Sequence, residues 1–210
     1  MGCRVIPDIP SASQRRKPRI INCSDALKPH TVNPALLLLR PSADADVPAM
    51  AAIYAYHVQH GTASFELEAP SLGDLEARRA EVLAKGLPWL VAESGGQLLG
   101  YAYANHFRAR PAYRFTLEDS IYIDNTARCC GVGRLLLTEL IARCEATGAR
   151  QMLAVIGNAG ANASSIALHR SLGFYDAGLL AGVGWKFNAW RDVKLMQRPL
   201  GSGANSAPAA

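Results

Sequence analysis

Cysteine is scarce in this chain and oddly numbered. Five residues, Cys3, Cys23, Cys129, Cys130 and Cys144, stand at irregular spacing, so no disulfide framework is expected and a reducing, cytoplasmic setting fits better. No apolar run reaches the roughly 18 residues that a membrane span needs. None of signal-peptide length opens the chain. No fixed-period repeat is present, which excludes a solenoid. Cys and His are not grouped at ligand spacing, so no metal is expected. Charge is also sparse, at 19% of 210 residues against 50% hydrophobic. That balance excludes a disordered protein and suffices for one domain with a substantial core.

The net charge of +5 is unevenly placed. Residues 1–34 hold six Lys/Arg and two Asp, while residues 35–210 hold sixteen Lys/Arg and fifteen Asp/Glu. A nucleic-acid-binding domain carries its charge on the folded body, so neither nucleic acid nor a membrane is an expected partner. Pro7, Pro10, Pro18, Pro29 and Pro34 interrupt any helix in residues 1–34, which read as a basic, disordered extension. Residues 35–200 read as one domain, and the Gly/Ser/Ala-rich residues 201–210 as a flexible tail.

Within the domain, element types alternate. Residues 36–39 form a short apolar run, a buried strand. A helix follows over 44–59, with Val47, Met50, Ile53, Tyr54 and Val58 on its core face. Ser71 and Asp74 form a capping box that opens a helix through Lys85. Strands at 89–93 and 98–107 flank the turn Ser94-Gly95-Gly96, and a third strand spans 115–124. Beyond a glycine loop, a helix with Leu137, Leu140, Ile141 and Cys144 on one face ends at Gly148. A strand at 151–156, a helix at 161–172 and two strands at 175–180 and 186–197 complete the domain. The pattern predicts an α/β (α+β) fold with helices on both faces of a central sheet.

The segment carrying chemistry is Arg128-Cys129-Cys130-Gly131-Val132-Gly133, set between a strand and a helix. Glycines allow close backbone approach, and the unpaired N–H groups of a helix start attract an anion. No Lys-Ser/Thr pair follows Gly133, which excludes a Walker loop. A third glycine and an acidic ribose ligand are missing, which excludes a Rossmann fingerprint. A diphosphate cradle and a plain tight turn both remain open.

Several further blocks stand in order along the chain: Leu39-Arg40-Pro41, Thr62-Ala63-Ser64-Phe65, Phe107-Arg108-Ala109-Arg110-Pro111-Ala112-Tyr113-Arg114, Glu118-Asp119-Ser120-Ile121-Tyr122-Ile123, Ala154-Val155-Ile156-Gly157, residues 162–174 and Gly182-Val183-Gly184-Trp185-Lys186-Phe187 with Trp190. Together with the loop they resemble the GCN5-related N-acetyltransferases (GNAT), and among them the phosphinothricin N-acetyltransferase-like branch, over residues 36–200. The resemblance implies a mixed, mostly antiparallel sheet with two splayed parallel strands. It also implies acetyl-CoA as cosubstrate, and a homodimer.

The diphosphate would sit on the amides of Arg128, Cys129, Cys130, Gly131, Val132, Gly133 and Arg134. The pantetheine arm would lie between the splayed strands 121–124 and 153–156, beside Ile121, Tyr122 and Ile123, and touch Asn162. Cys129 stands where relatives often have Gly, and Asn125 where many have Pro. By the same resemblance Glu118 is the catalytic base, and His169 stands where many relatives place a Tyr as general acid. Arg108, Arg110 and Tyr113 would bind the anionic end of a small amino-acid-like acceptor, since guanidinium forks match carboxylate or phosphinate. Phe65 would wall that pocket. Two other readings stay open here: a protein N-terminal or lysine acetyltransferase, and a CoA-binding sensor without turnover.

Overall fold

The computed structural model describes residues 37–208, so the predicted extension and Leu36 lie outside the described residues. The elements are β1 Leu38–Pro41, α1 Val47–His60, α2 Leu72–Ala84, β2 Trp89–Ser94, β3 Gln97–His106, β4 Thr116–Ile123, α3 Val132–Ala146, β5 Gln151–Gly157, α4 Ala163–Ser171, β6 Tyr175–Lys186 and β7 Ala189–Pro199. The strands form one sheet in the order β1-β2-β3-β4-β5-β7-β6. Every neighbouring pair is antiparallel except β4–β5. The expected mixed sheet is borne out. Among the described residues no helix is long and apolar enough to cross a membrane.

Local signals account for most boundaries. Ser71 Oγ accepts the Asp74 N–H at 3.2 Å and the Asp74 carboxylate takes the Ser71 N–H at 3.0 Å, closing the capping box of α2. The predicted apolar faces of α1 (Val47, Met50, Ile53, Tyr54, Val58) and α3 (Leu137, Leu140, Ile141, Cys144) are all buried. Gly148, at φ 84°, supplies the left-handed residue that ends α3.

Successive side chains of β4 point to opposite faces of the sheet. Tyr122 meets Tyr54 of α1, with ring centroids 4.8 Å apart. Asp119 meets His169 of α4, and Ile121 and Ile123 lie under Gly133 of α3. So α1, with α2 beside it, covers one face, while α3 and α4 cover the other.

The C-terminal hairpin differs from expectation. β6 does not end at Leu180 but continues to Lys186, and β7 starts at Ala189. Gly182, at φ 60°, forms an irregularity within β6, and its N–H donates to Asp192 Oδ1 at 2.8 Å. The turn is Phe187-Asn188, both at φ 53°, as a two-residue type I′ turn requires. Neither residue is the glycine that usually announces such a turn. At the C-terminus, Leu200 is buried and the Gly203 N–H donates to its carbonyl at 2.9 Å. Arg150 reaches Ser202, Ser206 and the Ala207 carbonyl. Residues 201–207, the start of the expected flexible tail, make these contacts with the body of the domain.

Candidate active site

Four register pairs join β4 to β5: Thr116–Gln151, Leu117–Met152, Glu118–Leu153 and Asp119–Ala154. Then the pairing stops. β4 stays on β3 as far as Ile123–Gly100, and β5 stays on β7 as far as Gly157–Val193. The two parallel strands therefore part after Asp119 and Ala154. The edge of residues 120–123 that faces β5 has no strand partner.

The loop between α1 and α2 is bolted beside this parting. Phe65 lies against Gly157 of β5 and Gly184 of β6, and a Cβ at either glycine would collide with its ring. Asn162 Nδ2 donates to Thr62 Oγ1 at 3.1 Å and to the Gly157 carbonyl at 2.5 Å. Lys186 Nζ donates to the Ser64 carbonyl at 2.7 Å, and Tyr54 OH pairs with Ser64 Oγ at 2.9 Å.

The glycine loop starts where β4 ends. The Asp124 carboxylate accepts the Thr126 N–H at 2.8 Å. Cys129 follows at φ 63° and Gly131 at φ 81°. The first helical bond of α3 runs from the Leu135 N–H to the Gly131 carbonyl at 3.2 Å. The N–H groups of Gly131, Val132, Gly133 and Arg134 precede it and lack an intrahelical partner. They form the positive end of a four-turn helix, and Gly133 among them lies over Ile121 and Ile123 of the unpaired edge. Gly133 is a packing glycine rather than a strained one: a Cβ there would sit 3.3 Å from Leu168 of α4 and 3.8 Å from Ile123. Its bareness lets α3 settle on β4 and α4. The side chain of Arg134 is tied to Ser171 Oγ at 2.8 Å.

Glu118 is half-buried at the last but one paired position of β4, on the α1 face. Burial pushes its carboxyl above the ordinary carboxylate range, the neighbouring Asp119 charge adds to this, and Arg108 offsets part of it. The sheet carries Tyr103 and Ser120 on this same face, next to Glu118. Arg108 and Arg110 are exposed on the segment after β3, and Tyr113 closes its 3-10 turn with an N–H to Arg110 carbonyl bond of 2.9 Å. Tyr113 packs edge-on against Phe107, whose ring also carries the Arg108 guanidinium at 4.9 Å.

The sequence profile of the acetyltransferase (GNAT) family matches residues 52–174. The chain belongs to that family. It is 49% identical over 202 residues to a phosphinothricin N-acetyltransferase of Alcaligenes faecalis, covering 96% of each chain. It is 37% identical to an L-methionine sulfoximine/L-methionine sulfone acetyltransferase of Pseudomonas paraeruginosa, covering 77% of this chain and 94% of the relative. A crystal structure of a phosphinothricin acetyltransferase from Sinorhizobium meliloti in complex with AcCoA superposes with a TM-score of 0.80 at 46% identity, covering 83% of this chain and 94% of the other. The expected family and branch are borne out.

Against the GNAT expectations, the positions divide as follows. Ile121, Tyr122, Ile123, the loop from Arg128 to Arg134, Glu118 and Phe65 gather around the parting. Asn162 also lies there, but its amide donors are already spent on Thr62 and Gly157. His169 lies on the opposite face of β4 from Glu118 and is only 1% exposed. The sequence reading assigned no role to Asp119, the partner of His169, nor to the Arg78–Glu66 ion pair (2.6 Å), whose arginine charge acts on Tyr54 and Tyr103. Strand alternation alone would put Asp119 and Glu118 on opposite faces. Nothing local in the sequence marks the partner fifty residues on.

Proposed function

We propose that this protein transfers the acetyl group of acetyl-CoA to the amine of a small amino-acid-like acceptor, directly, with both substrates bound together. The observation that carries the reading is the conjunction of three features. Two parallel strands part, a helix start with unpaired amides stands at one end of the gap, and a carboxyl with a raised pKa stands at the other. Acetyl-CoA supplies the acyl group as a thioester. The residues present fit it: the amides of Gly131, Val132, Gly133 and Arg134 at the start of α3 offer a diphosphate a row of donors. The bare edge of Ile121, Tyr122 and Ile123 offers an amide-bearing arm a strand-like partner.

The chemistry asked of the protein is then limited. Glu118 takes the proton of the incoming ammonium, directly or through a water. Burial raises its pKa, which makes it a better base than an exposed carboxylate. Backbone N–H groups on the open edge of β4 hold the carbonyl oxygen as negative charge builds on it. Arg108 and Arg110, with Tyr113, bind the acceptor's carboxylate or phosphinate on the α1 face, and Phe65 supplies the apolar wall. Phosphinothricin, methionine sulfone and methionine sulfoximine all pair such an anion with an amine. The exposed Leu179, Leu180, Val183, Trp185 and Trp190 lie on the edge strand and its hairpin partner, and this apolar surface suits a homodimer.

The direct test is release of free thiol from acetyl-CoA with a panel of these amino acids. Turnover with at least one anionic amino acid is expected. Tight CoA binding without turnover on any of them would favour a sensor instead.

A further inference from the structure

Behind β4 the structure holds a buried charge pair that the transfer chemistry above does not use. Asp119 occupies the last paired position before the strands part, and it is 7% exposed. Its Oδ2 lies 3.0 Å from His169 Nε2. The other ring nitrogen of His169, Nδ1, lies 2.7 Å from the carbonyl of Ser165, one turn back on α4, much closer than the 3.4 Å to the Ser165 hydroxyl. Phe174 closes the pocket edge-on, with ring centroids 5.0 Å apart.

The proton count follows from the partners. A carbonyl oxygen can only accept, so Nδ1 must carry a hydrogen. A neutral imidazole has only one N–H, and that one is then used. Nε2 faces a carboxylate, so one further proton must lie between them. Imidazole is the stronger base, by roughly 2.5 pKa units in ordinary peptides, so the proton belongs to the ring. Burial works against the imidazolium, but the Asp119 charge and hydrogen bond and the Ser165 carbonyl outweigh it, and the His169 pKa is raised.

Few titratable groups face the pair. From α3, Cys144 is pushed up to about 12 by burial, with Asp119 and Glu145 adding to this, so it stays a neutral thiol. From β4 itself, Glu118 points to the opposite face. Among the described residues Asp119 Oδ1 is buried without a hydrogen-bond partner, and His169 is the group that neutralises this carboxylate.

We propose that Asp119 is a positioning residue for the acetyl transfer: by holding His169 with both ring nitrogens protonated, it fixes α4, through a buried ion pair, behind the strand that carries Glu118. The arrangement also removes His169 from proton delivery, because both of its N–H groups are already engaged within the fold. The proposal deepens the acetyltransferase reading and rests on it for its kinetic half.

The test uses the full chain. Nitrogen NMR of the wild-type imidazoles at pH 8, with His169 assigned by its loss in His169→Asn, should show both ring nitrogens protonated. In Asp119→Asn the side-chain amide can donate to Nε2 while Nδ1–H stays on Ser165, so the hydrogen bonds persist and the charge goes. That variant should show one unprotonated ring nitrogen. Its kcat should fall about ten-fold or more, with the KM for acetyl-CoA changed less than two-fold, and the basic limb of its pH profile should move to lower pH. An unprotonated Nε2 in the wild type overturns the proposal, whether or not any acceptor is turned over. An Asp119→Asn variant with wild-type kcat and pH profile overturns it too. Absence of all acetyl transfer in the wild type would instead count against the enzymatic reading, and the NMR result would still decide the protonation of the pair.

Discussion

Glu118 carries the heaviest demand of any single residue. Removing its charge as Glu118→Gln should lower kcat by roughly 10²–10⁴ and leave acetyl-CoA affinity within about two-fold, as calorimetric titration would show. Its stability consequence has a definite sign. A carboxyl whose pKa is raised in the folded state favours folding while protonated, and that contribution is lost as pH rises through the folded value. Above it, an ionised Glu118 is a cost. Glu118→Gln should therefore raise the melting temperature at pH 7, with the gain shrinking toward pH 4; a difference independent of pH would contradict this. Cys129 invites a second substitution. At φ 63° it occupies a conformation that costs a non-glycine residue about 1–2 kcal/mol, so Cys129→Gly should stabilise the loop by up to that amount in thermal melts. At this scale the sequence was legible where a motif gave its neighbours away, as around Glu118. It was silent where a partner lies far along the chain. His169 could be singled out from its place on α4, but its burial against Asp119 depends on how α4 docks onto β4, which no periodicity reports.

Among the elements, the parting of β4 and β5 is flanked on the α1 face by the ring of Phe65. Phe65 occupies the space where Gly157 and Gly184 lack a Cβ. Gly184→Ala should displace the ring, cost about 1–3 kcal/mol as overpacking does, and raise the acceptor's KM more than that for acetyl-CoA. Equal effects on both constants would show the contact to be purely structural. Arg110→Ala should likewise raise the acceptor's KM with little change in kcat, checked by steady-state kinetics with the amino-acid panel. Helices and central strands were readable because caps and apolar periodicity agree there, as at Ser71–Asp74 and along α3. The length of β6 was not. The expected strands leave out residues 181–185, yet Gly182 is an irregularity within β6 clasped by Asp192 and Gly184 a seat for Phe65. The turn was placed too early because Phe187-Asn188 carries no glycine.

In the proposed reaction the two substrates approach from different faces of one sheet. The loop amides and α3 and α4 lie on one face, and Glu118, the arginine segment and Phe65 on the other, so the gap between strands is the place where they meet. The exposed apolar residues of β6 and β7 lie at the far edge of the sheet. Trp190, 67% exposed, is a sensitive probe of the proposed dimer: Trp190→Glu should convert a dimer to a monomer in light scattering, and a wild-type monomer would remove that proposal.

The measurement closest to the core of the account is an amide-resolved NMR titration of the wild-type chain with CoA. Shifts concentrated in residues 128–134 and along 120–123 are predicted, with little change at the remote edges of the sheet. Saturable binding that leaves those two segments unmoved would contradict it.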